Sequence, residues 1–77
     1  MAVTMTPEIA DACIDEFISM IAERIDSAAA ISKAAVTCME AGNREQAVTI
    51  AMDIEQLLSD ANQFLGCATL IKRSAGS

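Results

Sequence analysis

The chain contains no histidine, no tryptophan and no tyrosine, and only two phenylalanines, one proline and three glycines among its 77 residues. Each shortage removes a class of answers. Without histidine, no side chain has an ordinary pKa near neutrality to serve as a general base, to activate a cysteine, or to complete the familiar zinc and di-iron ligand sets. With so few aromatic residues and no β-branched runs, a sheet would have little to pack with, and the single proline leaves long stretches free to stay helical. Cations are scarce as well. Five Lys and Arg stand against eleven Asp and Glu, a net charge of -6, which opposes direct binding to DNA, RNA or anionic lipid because those partners attract a basic face.

Long uncharged runs are also missing. The longest, Ala61 to Ile71, falls below the roughly 18 residues that a membrane-spanning helix needs. The opening MAVTMTPEIADAC turns acidic with no basic segment ahead of an apolar one, so no secretory signal and a cytoplasmic location are expected. Cys13, Cys38 and Cys67 are odd in number and lack CxxC spacing. That fits reduced thiols packed as small apolar residues better than a disulfide framework or a zinc site. Neither a metal nor a cofactor is expected.

What remains is a 53% hydrophobic sequence whose apolar residues recur at helical spacing. A first helix is predicted to start at Thr6-Pro7-Glu8, since Thr can cap a free N–H, Pro tolerates the first helical position and Glu complements the dipole. Ile14, Ile18, Ile21, Ile25, Ala28, Ala35 and Met39 then form an apolar stripe, with Asp15, Ser19, Asp26, Lys33 and Glu40 opposite. In the middle stretch CMEAGNREQAV, Gly42 suits the left-handed residue that closes a helix, and Asn43 with Gln46 suits a capping box that opens the next.

A stop and a start on adjacent residues leave almost no loop. The predicted fold is therefore all-α: an antiparallel two-helix hairpin over about 7–41 and 44–72, in a single domain spanning 1–77, with short disordered termini at about 1–5 and 74–77. In the second helix one core column is small (Ala47, Ile54, Ala61, Ala68) and the other large (Ile50, Leu57, Phe64, Ile71). Folding about the turn brings large against small, with Phe17 facing Ala68, Ile25 near Ala61, Ala28 facing Leu57 and Ala35 facing Ile50. Gly66, inside this helix, could mark a close contact, a kink or an early end. Lys72 and Arg73 close the helix where cations suit its dipole.

The turn AGNREQA resembles the inter-helix turn of tetratricopeptide repeats in Gly42, Asn43 and Ala47. The large aromatic positions of that repeat would fall at Ile31, Cys38 and Ala51, and these helices are too long for a unit of about 34 residues, so the resemblance implies shared turn chemistry only.

Apolar residues remain beyond the seam: Ala51, Leu58 and Leu65 on the second helix, and Ile9, Cys13, Met20 and Ile31 on the first. Such a strip needs a cover, and a symmetric pair of hairpins in a homodimeric four-helix bundle supplies one, with self-association through Ala51, Leu58, Leu65 and Ile31. Met20, Met39 and Met52 are read as gap fillers. The functional expectation is a non-enzymatic small acidic protein-protein interaction module, acting as regulator, adaptor or assembly factor toward itself and a further protein. An alternative rests on the acidic stripe Glu8, Asp11, Asp15, Glu16, Glu23 and Asp26, set against Arg24 alone in the first half of helix one. Such a stripe could dock a basic surface as a decoy that blocks a nucleic-acid-binding site.

Overall fold

The computed structural model describes residues 6–76, with side chains to Ser74. Those residues form α1 (Pro7–Glu40), α2 (Arg44–Ala51) and α3 (Asp53–Gly76), with no strand among them. The molecule is a rod of 58 × 19 × 15 Å. α1 packs along α3 and, nearer the turn, along α2.

The caps explain where the helices begin and end. Thr6 is extended (φ -70, ψ 154), its Oγ1 accepts from the Ile9 N–H at 3.3 Å, and Pro7 takes the first helical position. At the far end Gly42 has φ +87. Its N–H reaches the Met39 carbonyl while the Asn43 N–H reaches the Cys38 carbonyl, both at 2.9 Å. This pair of bonds is the Schellman closure, which satisfies two otherwise orphaned carbonyls. Asn43 Oδ1 then accepts from the Gln46 N–H at 3.1 Å and opens α2. Because the Asn43 N–H is already committed to Cys38, only the forward half of the expected capping box forms.

The second arm departs from the single helix expected over 44–72 in two ways. Met52 interrupts it: the Met52 N–H still bonds the Val48 carbonyl at 3.0 Å, but the Glu55 N–H bonds Met52 itself at 3.2 Å, a local tightening of one turn. Met52 keeps right-handed helical angles (φ -60, ψ -27), so the side-chain columns run through the break. At the other end the helix continues through Ser74 and Ala75 to Gly76 rather than stopping near Lys72, because nothing after Arg73 breaks a helix before that glycine. The amino-terminal segment expected to be disordered, 1–5, lies outside the described residues.

The most buried side chains are all alanine: Ala10, Ala28, Ala47, Ala61 and Ala68. Among the described residues no large side chain is fully buried. With only two arms, every larger residue keeps one flank in water, and alanine at the seam lets the helices approach closely. On the second arm the inward columns are those the sequence predicts, Ala47, Ile54, Ala61, Ala68 and Ile50, Leu57, Phe64, Ile71, each buried or half-buried.

α1 corrects the prediction. Ile14, Ile21, Ala28 and Ala35 do face inward, but Ile18, Ile25 and Met39 are about half exposed, at 52%, 45% and 47%. Their places are taken by Phe17, Arg24, Ile31 and Cys38. An inward Arg24 is what the apolar pattern could not anticipate, and it becomes tolerable because a long basic side chain can bury its stem while its head finds a partner.

Candidate interaction faces

Three side-chain arrangements stand out, and the first lies in the seam itself. Phe17 and Phe64, the only aromatic residues, tilt against each other across the arms with ring centroids 6.1 Å apart. The Arg24 guanidinium carbon sits 5.5 Å from the centroid of Phe64. Arg24 Nε is 3.6 Å from Asp60 Oδ2, and its Nη1 is 3.9 Å from Glu23 on its own helix. Asp60 is steadied in turn by the Gln56 amide, which donates to Oδ1 at 2.8 Å. An aromatic pair, a cation over its face and a carboxylate hydrogen-bonded from the next turn thus link α1 to α3. Sequence reasoning placed Phe17 against Ala68; the aromatic partner observed is Phe64, one helical turn earlier. The lone cation among six acids is the one signal of this cluster that the sequence carries.

The second arrangement is apolar and open. Near the turn, Ser32, Val36 and Met39 of α1 and Arg44, Val48 and Ala51 of α2 line a groove of about 380 Å³. Both arms therefore present side chains to one side of the rod. The groove belongs to a longer strip, since Ile18, Ile25, Leu58 and Leu65 are 45% to 52% exposed and fall at seven-residue steps from Met39 and Ala51. Of the residues predicted to self-associate, Leu58 and Leu65 lie on this strip and Ala51 borders the groove half-buried, whereas Ile31 belongs to the inward column of α1. Ile9 is exposed, while Cys13 and Met20 are half-buried. Met39 and Met52 are exposed rather than filling core gaps, and Cys67 is exposed as well, because each points away from the seam.

The third is the acidic row. Glu8, Asp11, Asp15, Glu16, Glu23 and Asp26 are all exposed, and of these only Glu23 has a cation within 4.0 Å among the described residues. Among those residues no three potential ligands gather at a metal-binding spacing, and no helix is long and apolar enough to cross a membrane. Gly66 sits on an open surface, where an added Cβ would meet nothing within 4 Å, and α3 passes through it. It therefore marks neither a close contact nor a helix end.

No family model, curated protein or solved structure matches this chain.

Proposed function

We propose that the two arms form an antiparallel hairpin, and that two hairpins join through the open apolar strip as a homodimeric four-helix bundle, a non-enzymatic interaction module of the cytoplasm. The Phe17–Phe64 and Arg24–Asp60 contacts favour antiparallel arms. One observation carries the dimer. Ile18, Ile25, Leu58 and Leu65 are 45% to 52% exposed along one strip, and a run of large apolar side chains left open in this way marks an interaction surface.

Sedimentation equilibrium at micromolar concentration is the direct test. A dimer is expected, and Leu58→Asp or Leu65→Asp should convert it to monomer by placing an unpaired charge in the interface. A fully helical wild-type monomer would overturn the reading.

A second reading is favoured by the acidic row, whose carboxylates are exposed and, apart from Glu23, have no cation within 4.0 Å among the described residues. In it the dimer presents these acids to a basic protein surface and occupies a site meant for nucleic acid. Neutralising Asp15, Glu16 and Glu23 together should then slow association with such a partner and flatten its salt dependence without altering the dimer. A partner that binds the neutralised protein unchanged would exclude the decoy role.

A further inference from the structure

The charges at the two ends of the apolar strip say how a second copy sits on it. On α1 the outward column bordering the strip is Asp11, Ile18, Ile25, Ser32 and Met39. On the second arm the corresponding column is Arg44, Ala51, Leu58, Leu65 and Lys72. Ser32, Met39, Arg44 and Ala51 line the same groove near the turn, and seven-residue steps along each helix extend the two columns from there toward the open end. The first begins with an acid and the second begins and ends with a cation, and within one chain neither Asp11, Arg44 nor Lys72 forms an ion pair among the described residues.

Two symmetric ways exist to lay one such face on another. If the two-fold axis runs across the rod, each arm meets its own copy reversed. Arg44 then faces the partner's Lys72 twice per dimer, and Asp11 faces the partner's Met39. Like charges oppose each other at an apolar rim, which is unfavourable. If the axis runs along the rod, α1 meets the second arm of the partner. Counting up by sevens on one column and down by sevens on the other, Asp11 then meets the partner's Lys72. Ile18 meets the partner's Leu65 and Ile25 the partner's Leu58. Ser32 falls opposite the partner's Ala51, and Met39 lies along the alkyl stem of the partner's Arg44. No layer opposes like charges, and the large apolar residues of the two middle layers meet each other.

We propose that this face binds a second copy of the chain with the two-fold axis along the rod, open ends together, and Asp11 of each copy paired with the partner's Lys72. The arrangement rests on the dimer reading above and adds its orientation and register. Its apolar centre is the four half-exposed residues Ile18, Ile25, Leu58 and Leu65, which would be covered together. Each helix is also antiparallel to both of its neighbours, which suits the helix dipoles.

The test mixes two variants, Asp11→Lys and Lys72→Asp, each checked for unchanged helicity by circular dichroism. Each homodimer opposes like charges at the open end, whereas the mixed dimer restores both pairs. Native mass spectrometry at low salt should show the heterodimer favoured about tenfold over statistical mixing, with the preference shrinking at high salt. Alone, Lys72→Asp should weaken the homodimer; the crosswise arrangement predicts the opposite, because the new acid would then face Arg44. Nitroxides on Glu40→Cys, in a protein whose native cysteines are alanine, should lie within about 35 Å of each other, whereas the crosswise arrangement separates them by about a helix length, roughly 50 Å. A dimer with statistical mixing and distant labels would overturn the orientation alone. A monomeric wild type would overturn the dimer reading and this orientation with it.

Discussion

Arg24 of α1 places its guanidinium carbon over the Phe64 ring of α3, 5.5 Å from the centroid, while its Nε approaches Asp60 at 3.6 Å, so one side chain meets both an aromatic ring and a carboxylate of the other arm. The Arg24 side chain is 33% exposed and that of Asp60 is 29% exposed. Solvent therefore screens the charge pair substantially, and the cation–π contact with Phe64 is the more durable part.

A double-mutant cycle separates the two parts. Arg24→Ala and Asp60→Ala should couple by only about 0.5 kcal/mol, and the coupling should fade in high salt. Arg24→Ala and Phe64→Ala should couple by a similar or larger amount, and that term should survive salt. Urea titrations at fixed protein concentration measure both.

The alanine seam should be intolerant of volume. Ala61 is only 7% exposed, so Ala61→Leu should overpack the contact between the arms and destabilise by about 1 to 3 kcal/mol. Asp15→Asn on the exposed side of α1 should stay within about 0.5 kcal/mol. Thermal unfolding of the two variants side by side gives the contrast, and equal stabilities would mean that the seam is misplaced.

Gly42 and Gly66 should respond oppositely to alanine. Gly66 is helical with open space around its Cα, so Gly66→Ala should stabilise by about 0.5 to 1 kcal/mol through helix propensity and a less flexible unfolded chain. Gly42 sits at φ +87, where a Cβ is strained, so Gly42→Ala should destabilise by about 1 kcal/mol or more. Denaturation midpoints moving in the same direction would contradict the assignment.

The neighbouring cap gives a prediction of its own. Asn43 Oδ1 satisfies the Gln46 N–H, and Asn43→Ala should cost about 1 kcal/mol. Asn43→Asp or Asn43→Ser should recover most of that loss, since either can accept the same bond. Recovery by neither would mean that the side chain contributes little to opening α2.

Thiol reactivity should divide the cysteines. Cys67 is exposed, while Cys13 and Cys38 are half-buried on α1. With a chromogenic disulfide reagent one thiol should react in a fast phase and two more slowly, and Cys67→Ser should remove the fast phase alone.

By itself the sequence determined the all-helical class, the cap at Thr6-Pro7, the turn at Gly42-Asn43 and the inward columns of the second arm. Caps and turns are decided by a few neighbouring backbone groups and one side chain. On the second arm the columns Ala47, Ile54, Ala61, Ala68 and Ile50, Leu57, Phe64, Ile71 carry no charge, whereas the neighbouring column of Ala51, Leu58 and Leu65 is bounded by Arg44 and Lys72. On α1 two adjacent columns compete: Phe17, Arg24, Ile31 and Cys38 against Ile18, Ile25, Ser32 and Met39. They differ by a rotation of about 100°, and hydrophobicity alone favours the second because it contains no charge. Only the tertiary structure chose the first. Across the seam Phe64 offers a ring to Phe17 and Arg24, and Asp60 offers a carboxylate to the guanidinium. Those partners lie on the other arm, so no pattern confined to α1 could supply them. The same rotation leaves Ile18 and Ile25 on the open strip, and the face available to a partner therefore depends on a contact made on the opposite arm.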